Sequence, residues 1–384
     1  MYSIYFDNGS TSLPKAPGVG EAMKRYIEES GCNIGRGGYA GAYDVGVSVF
    51  ETREKLCRFF DFDKPENVVF TSGVTMGLNM VINGLARPGD EIICTEMEHN
   101  AVARPLFAAT SRGVIVHHIH CDREGFLDFD EFASVLNEKT RLVVMLHASN
   151  VSGTVQDVKT VGRLCSEKGV FFCLDAAQSA GILSVDFKEF GLSALAVPGH
   201  KGLLGPQGVG ALLLSDEIAE AMEPIVCGGT GSISDSLEMP DFLPDRFESG
   251  TLNLPGILGL SAAMDYLEEV GIENIHDREM QLTERFLSGL PKGGVRVAGP
   301  REIANRVAVV SLDFSEQDNA DVAYLLESEY GIQTRTGLHC APLAHKSLGT
   351  FPRGTVRFAF GRENTEEQID IALEAIRSIV SEEE

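Results

Sequence analysis

The chain has 384 residues, which is long enough for two or three domains and for a large hydrophobic core. Hydrophobic residues make up 43% of it and charged residues 23%, proportions that are typical of a globular protein. The net charge of −24 opposes binding to nucleic-acid phosphates and to anionic membrane surfaces, so neither is an expected partner.

The sequence shows no pattern typical of a targeting segment, a membrane span or a redox motif. The start, MYSIYFDNGS, has no basic region followed by a long apolar run, and no segment approaches the roughly 18 apolar residues of a membrane span. None of the eight cysteines lies in a Cys-x-x-Cys pair, which argues against a zinc or redox motif. We therefore expect a cytoplasmic protein with free thiols.

Apolar runs rich in β-branched residues alternate with helical patterns over residues 66–215. The predicted strands are 67–71, 91–95, 114–120, 142–147, 170–174, 194–197 and 208–214, and a predicted helix covers 157–168. This alternation is typical of an α/β fold with a mainly parallel sheet. Ligands in such folds bind at the carboxyl ends of the strands.

A long helix is predicted over 255–290, before a Pro- and Gly-containing break at 291–294. The remainder resembles a smaller α/β unit, with strands at 307–314, 332–334 and 355–360 and helices at 320–330 and 365–382. Residues 228–249 are rich in Gly, Ser and Pro and are predicted to form a loop.

Three polar features follow predicted strands of the first region. Asp175 ends an apolar run, Lys201 lies in a glycine-rich turn, and Thr71-Ser72-Gly73-Val74-Thr75-Met76-Gly77 opens a helix. Each has an ordinary alternative: a helix cap, a solvated lysine, and a simple capped helix. Together, a lysine for a covalent link, a carboxylate and anion donors fit pyridoxal 5′-phosphate (PLP).

Further motifs give these features a family context. They are Tyr5-Phe6-Asp7-Asn8-Gly9-Ser10-Thr11, Glu96-Met97-Glu98-His99-Asn100, His147-Ala148-Ser149-Asn150, Phe247-Glu248-Ser249-Gly250-Thr251 and Arg335-Thr336-Gly337-Leu338-His339-Cys340-Ala341-Pro342. In order and spacing they resemble the class V aminotransferase family of fold-type I PLP-dependent transferases. Within it, the chain is similar to the group II cysteine desulfurases and selenocysteine lyases.

The resemblance implies a division of the chain into domains. A mainly parallel large domain that binds PLP spans 21–254, a connecting helix spans 255–290, and a smaller C-terminal α/β domain spans 291–384. The N-terminal segment 1–20 is implied to join the small domain, which carries Cys340 and Arg357.

The resemblance also implies the residues that contact the cofactor. They are Lys201 for the covalent link and proton transfer, Asp175 for the pyridinium nitrogen, Gln178 for the ring hydroxyl, His99 for stacking, Val74, Thr75 and His200 for the phosphate, and Thr251 for the phosphate of the partner subunit. A homodimer is therefore expected.

Substrate contacts are implied for Asn150, Arg335 and Arg357, whose guanidinium suits a substrate carboxylate. Cys340 lies beside His339 and near Arg335 in sequence, a setting that favours a reactive thiolate. The alternative is a buried structural thiol. Two departures from the family pattern are Leu338, where a second histidine is usual, and Pro198, where a serine or threonine is usual.

These roles imply conversion of L-cysteine to L-alanine, with the sulfur carried as a persulfide on Cys340. The implied catalytic residues are Lys201, Cys340 and His99. An acceptor protein then takes the sulfur, for example for iron–sulfur cluster assembly. The alternatives are a selenocysteine lyase acting on L-selenocysteine with a selenium acceptor, another class V reaction such as transamination, and a scaffold without activity.

A metal site is not expected. His117, His118 and His120 cluster on one predicted strand, but the alternation of faces separates neighbours, and no partner has clear ligand spacing.

Overall fold

The computed structural model describes residues 3–34 and 37–381. Its strands, in chain order, are β1 Ile4–Tyr5, β2 Val68–Thr71, β3 Glu91–Thr95, β4 Ile115–Ile119, β5 Thr140–Leu146, β6 Phe171–Asp175, β7 Ala194–Pro198, β8 Gly210–Leu214, β9 Val295–Val297, β10 Val309–Phe314, β11 Ile332–Gln333, β12 Arg335–Gly337 and β13 Thr355–Ala359. The α-helices are α1 Val19–Arg25, α2 Ala40–Phe59, α3 Val74–Leu85, α4 Asn100–Thr110, α5 Phe129–Val135, α6 Val158–Lys168, α7 Asp216–Ala221, α8 Leu254–Val270, α9 Ile272–Gly289, α10 Asn319–Tyr330, α11 Pro342–Ser347 and α12 Glu366–Ser381. Tyr26–Ser30 extends α1 as a π-helical turn, and Pro65–Asn67 forms a short 3₁₀ helix.

The large sheet has seven strands in the order β2-β8-β7-β6-β5-β3-β4. The pairs between β7 and β4 are parallel, whereas β8 runs antiparallel to both β7 and β2. All seven predicted strands and the mainly parallel sheet are confirmed. The connection from β7 to β8 contains no helix, and a short link without a crossover can only join antiparallel neighbours.

Both faces of this sheet are covered, because alternate residues of its central strands join different hydrophobic cores. On β6, Phe172 and Leu174 pack into one core, and Cys173 between them packs into the other. Burial on both faces explains why the central strands are continuously apolar. A ligand can then approach the sheet only at the strand ends.

The sheet brings the candidate site residues to one edge. β2 runs in the same direction as β7, because each is antiparallel to β8. The segments that follow β2, β3, β5 and β7 therefore emerge where β6 ends. They carry Thr75, His99, Asn150 and Lys201, and β6 itself ends at Asp175.

A smaller antiparallel sheet, in the order β12-β13-β10-β9, lies in the C-terminal part of the chain. It has its own core, to which α9, α10 and α12 contribute. β1 pairs in parallel with β11, which places the N-terminal segment beside this part. The domain boundaries at 20, 254 and 290 stay predictions, and residues 1–2, 35–36 and 382–384 of those ranges lie outside the described residues.

The predicted helix over 255–290 is wrong in one respect, because it is two helices, α8 and α9. Gly271 separates them with φ +79°, a left-handed conformation that glycine adopts without strain. The predicted strand 332–334 corresponds to β11, whereas β1, β9 and β12 were not predicted. Residues 228–249 contain neither helix nor strand, as expected. Among the described residues, no helix is both long and apolar enough to cross a bilayer.

Candidate active site

Asp175 lies at the end of β6, between the ends of β5 and β7. It is 3% exposed, and its Oδ1 accepts a hydrogen bond of 2.9 Å from the N–H of Ala177. Burial raises the pKa of the Asp175 carboxyl, while the Ala177 hydrogen bond and the charge of Lys201 act in the opposite direction. Asp175 stabilises a turn and does not cap a helix, so the alternative considered from sequence does not apply.

Lys201 lies in the turn that follows β7. Its side chain is half-buried and lines a cleft together with Asn8, Gly9 and Gln178. Burial lowers the pKa of the Lys201 ammonium to about 8, and the negative charge of Asp175 opposes this effect. A larger fraction of this amine is therefore neutral and nucleophilic than in a solvated lysine.

The start of α3 offers an anion site beside the β7–β8 turn. Gly73, the residue before Val74 and Thr75, has no side chain to cap the free N–H groups of the helix. A Cβ at Gly210 would lie 2.9 Å from Gly73 Cα and 2.5 Å from the Val197 oxygen. The space opposite the helix start thus depends on glycine, and free N–H groups at a helix N-terminus favour a phosphate.

His200 and Thr251 flank this region. The Nδ1 atom of His200 is buried and has no hydrogen-bond partner, so it is free to bind a group from outside the chain. Thr251 is exposed and lines a cavity of about 280 Å³ with Thr71, Ser72 and Gly208 of the same chain. Its predicted contact with the partner subunit's cofactor stays a prediction.

His99 lies immediately before α4, where its Nδ1 accepts a hydrogen bond of 3.0 Å from the N–H of Ala101. Burial lowers the pKa of the imidazole to about 4, and the charges of Lys201 and Arg335 lower it further. The ring is therefore neutral near pH 7, and its proton is on Nε2 because Nδ1 is an acceptor. A neutral, fixed imidazole suits stacking on a cofactor ring.

The candidate carboxylate-binding arginine is fully buried at the junction of β13 and the N-terminal segment. Arg357 donates to the Asp7 carboxylate at 2.7 Å, to Ser10 Oγ at 2.8 Å and to the Asn150 oxygen at 3.1 Å. Its Nε has no partner. No role was predicted for Asp7 or Ser10, although both lie in the N-terminal motif. Nothing local in that motif indicates a contact with a residue 350 positions away.

The Cys340 loop, residues 338–341, presents an exposed thiol. Cys340 Sγ lies 3.2 Å from Arg335 Nη2, which donates to it. His339 and Cys340 have φ of +47° and +59°, unusual values for residues other than glycine. The Cys340 oxygen accepts from the N–H of Asn100 at 2.7 Å, and the His339 oxygen accepts from Asn150 Nδ2 at 2.8 Å.

His339 does not support the thiol in the way that its position in the sequence suggested. Its ring is 2% exposed, and Nε2 lies 2.9 Å from the Thr355 hydroxyl. Burial holds the pKa of His339 well below its ordinary value, so the ring is neutral. The left-handed backbone turns this side chain inward, and the cation beside Cys340 is Arg335. The exposed Cys340 is not a buried structural thiol.

Of the predicted site residues, Gln178 and Lys201 line the same cleft, whereas Thr251 lines the separate cavity beside Thr71 and Ser72. Gln178 Nε2 donates a hydrogen bond of 2.9 Å to the Gly9 oxygen. Three features fit the chemical groups of PLP. The lowered pKa of Lys201 suits bond formation with the aldehyde, and the buried Asp175 suits the ring nitrogen. The uncapped start of α3 and the unpaired Nδ1 of His200 suit the phosphate. Lys201, Asp175 and the start of α3 would hold it, and His99 would cover it.

The three histidines on or near β4 have other partners. His117 lies 3.0 Å from Glu91, His120 lies 2.9 Å from Glu131, and His118 lies 3.2 Å from Cys94. Within residues 3–34 and 37–381, no group of three His, Cys, Asp or Glu side chains is arranged to hold a metal ion. None of the cysteines in the described part of the chain is paired in a disulfide.

Comparison with known proteins agrees with this geometry. The profile of the family described as "Aminotransferase class-V" matches residues 4–372. A probable cysteine desulfurase of Methanothermobacter thermautotrophicus is 36% identical over 98% of this chain and 94% of its own length. A cysteine desulfurase of Cronobacter sakazakii is 32% identical over 95% of this chain and 90% of its own.

A solved structure shows the same similarity in three dimensions. The apo cysteine desulfurase of Thermococcus onnurineus superposes with a TM-score of 0.93 at 34% identity, covering 99% of this chain and 95% of that one. The predicted fold class and the predicted cofactor are confirmed, since the matched family is PLP-dependent. The chain belongs to the class V aminotransferase family.

Proposed function

We propose that this protein converts L-cysteine to L-alanine and transfers the sulfur to Cys340 as a persulfide. The observation that carries the proposal is the exposed Cys340 thiol, which lies 3.2 Å from the Arg335 guanidinium. The loop that carries it is bonded to Asn100, at the start of the helix that follows His99. The relatives named above as cysteine desulfurases support the same reaction.

Different residues of the site bind the cofactor and the substrate. When bound, PLP supplies an electron sink for the substrate, which a carboxylate at the ring nitrogen sustains. Asp175 is that carboxylate, and Lys201 holds the cofactor and moves protons at its Nζ. Arg357 presents a guanidinium for the substrate carboxylate, and its bonds to Asp7 and Ser10 fix that guanidinium before substrate arrives.

The sulfur step is balanced without an outside oxidant or reductant. The Cys340 thiolate attacks the substrate sulfur, so that an S–S bond forms as the substrate C–S bond breaks. The electron pair left on the substrate β-carbon takes a proton, and alanine leaves. Arg335 Nη2 donates to Cys340 Sγ at 3.2 Å, which places a guanidinium beside the sulfur that begins this step.

Three wider features are part of the proposal. An acceptor thiol, free or on a partner protein, removes the persulfide sulfur by exchange, and iron–sulfur cluster assembly is one use for that sulfur. The protein acts in the reducing cytoplasm, which suits its free cysteines. It forms a homodimer, supported by the exposed apolar side chains of Ile225, Val226, Leu237 and Phe242 close to Thr251 in sequence.

Alanine release tests the reaction. L-Cysteine and L-selenocysteine are supplied separately to the native protein, to Cys340→Ala and to Cys227→Ala, which removes another exposed thiol. We expect alanine from L-cysteine with the native protein and Cys227→Ala, and none with Cys340→Ala. Equal turnover of L-cysteine by Cys340→Ala would contradict the proposal.

The selenocysteine lyase alternative is not favoured, because the relatives described above are named cysteine desulfurases. The same experiment separates the two activities. Rapid alanine release from L-selenocysteine that survives in Cys340→Ala, with little from L-cysteine, would establish the lyase instead. Keto-acid production without alanine would indicate transamination.

A further inference from the structure

Glu98, which the catalytic account above does not use, is a buried carboxyl in the turn between β3 and α4. It directly precedes His99 and is 1% exposed. Its Oε1 accepts a hydrogen bond of 2.7 Å from the Thr95 hydroxyl at the end of β3. Both carboxyl oxygens lie within 3.2 Å of the Leu146 N–H at the end of β5. The carboxyl therefore joins two strand ends and the turn that carries His99.

The second strand end leads directly to Asp175. Leu146 is the register partner of Asp175 in the β5–β6 pair. The next residue, His147, donates its N–H to the Asp175 backbone oxygen at 2.9 Å. A continuous path of hydrogen bonds and strand pairing thus runs from the turn of His99 through Glu98 to Asp175.

We propose that Glu98 is a positioning residue that fixes the spacing between His99 and Asp175, the two side chains assigned to the face and the nitrogen of the cofactor ring. An acceptor that bonds Thr95 and Leu146 together prevents the His99 turn from moving independently of β6. The inference rests on the cofactor roles of His99 and Asp175 and does not depend on which amino acid is the substrate.

The charge state of this carboxyl is consistent with a positioning role. Burial raises the pKa of Glu98 to about 8, and the nearby charge of Asp175 raises it further, against the hydrogen bonds of Thr95 and Leu146. Burial raises the pKa values of the Cys94, Cys121 and Cys173 thiols, and the charge of Glu98 raises them further. At neutral pH Glu98 is therefore mainly protonated, so that it acts chiefly as an uncharged hydrogen-bonding group beside the turn of His99.

The test compares Glu98→Ala with Glu98→Gln as PLP-loaded proteins. The glutamine amide keeps an oxygen for the Leu146 N–H and resembles a protonated carboxyl, whereas alanine leaves that N–H unpaired. The readouts are the induced circular dichroism per bound cofactor, which reports a fixed ring, and the PLP dissociation constant. We expect Glu98→Ala to lose most of the ellipticity and to bind PLP about ten-fold more weakly, and Glu98→Gln to retain both properties.

Asn319→Ala is the control for a purely structural effect. Asn319 is buried in the small sheet region and bonds Phe314, Asp313 and Gly354, so its loss should lower the melting temperature and leave the ellipticity per cofactor unchanged. If Glu98→Ala behaves in the same way as Asn319→Ala, the proposal is overturned.

A milder pair keeps the test decisive if Glu98→Ala does not fold. Thr95→Val removes the hydroxyl that donates to Glu98, and Thr95→Ser retains it. We expect reduced ellipticity per cofactor in Thr95→Val and native ellipticity in Thr95→Ser, and equal spectra for the pair would count against the proposal. Because no substrate is added, failure of the cysteine reaction would not affect these results.

Discussion

The cofactor end of the site and the Cys340 loop are built in different ways. Asp175 is held by register pairs with β5 and β7 on either side, inside a sheet that is buried on both faces. Cys340 is exposed and, like His339 before it, has a left-handed backbone conformation. Asn100 donates to the Cys340 carbonyl, and Asn150 donates to the His339 carbonyl. The sheet therefore holds Asp175 cooperatively, whereas a few separable contacts hold the Cys340 thiol.

This difference has an energetic basis. Non-glycine residues in the left-handed region carry a cost of order 1–3 kcal/mol each, and they persist only where surrounding contacts require them. His339 and Cys340 are two such residues in succession. The loop should therefore respond to loss of a single contact while the sheet edge and the bound cofactor remain intact.

The largest expected effect comes from removing the lysine at the cofactor end. Lys201→Ala eliminates both the covalent link and the proton-moving amine, so alanine formation should fall by on the order of 10³-fold or more. Cofactor absorbance after gel filtration and alanine release measure the two losses. Lys15→Ala, which removes another partly buried lysine near His200, is the control. Equal losses of cofactor and of alanine formation in both variants would contradict the role assigned to Lys201.

Next in size is a change at the helix start that faces the phosphate position. Gly210→Ala places a Cβ 2.5 Å from the Val197 oxygen and 2.9 Å from Gly73 Cα, and overpacking of this kind costs about 1–3 kcal/mol. If the strain is taken up at the α3 start, PLP affinity should drop about ten- to hundred-fold. Gly293→Ala, where a Cβ meets nothing within 4 Å, should bind PLP normally. Normal PLP affinity in Gly210→Ala would show that the anion site at the start of α3 does not need this glycine.

A pH effect should follow from the depressed lysine pKa. The neutral form of Lys201 forms the covalent link, and its pKa of about 8 lies below the ordinary 10.5. The rate at which the apoprotein takes up PLP covalently should therefore rise about ten-fold from pH 7 to pH 9 and then level off. A stopped-flow absorbance series measures this rate. A midpoint near 10.5 would mean that burial does not favour the neutral amine.

The smallest effect is expected at the loop alone. Asn150→Ala leaves the buried His339 oxygen without its donor, a loss of about 1–2 kcal/mol. Cys340 should react several-fold faster with an alkylating reagent, because the loop opens more often, while PLP absorbance is unchanged. Asn83→Ala, at a site away from the loop, serves as the control. Unchanged alkylation, or loss of PLP together with faster alkylation, would contradict the separation of the two regions.

The sequence predicts the large sheet well because its signals are local. Each apolar run that ends at a polar residue, as at Asp175, defines a strand end, and parallel strand ends meet at one edge. The seven strands of the large sheet follow from this pattern alone. The antiparallel course of β8 does not, since a strand's own composition carries no direction.

The Cys340 end depends on contacts between distant segments, which no local pattern contains. Because His339 is adjacent to Cys340 in the sequence, its ring was expected to lie beside the Cys340 thiol. The left-handed backbone instead turns the His339 ring toward Thr355. The Asp7–Arg357 pair joins residues from the two ends of the chain. Glu98 carries no signal of its own in the sequence, because its bonds to Thr95 and Leu146 form only when the sheet is assembled.

The most direct test of the central claim is the location of sulfur after one turnover. The native protein is given one equivalent of L-cysteine per site without an acceptor thiol, and its cysteine peptides are analysed by mass spectrometry. We expect one additional sulfur atom on the Cys340 peptide, in proportion to the alanine formed, and none on the Cys227 peptide. Alanine formed without sulfur on Cys340, or sulfur found chiefly on another cysteine, would contradict it.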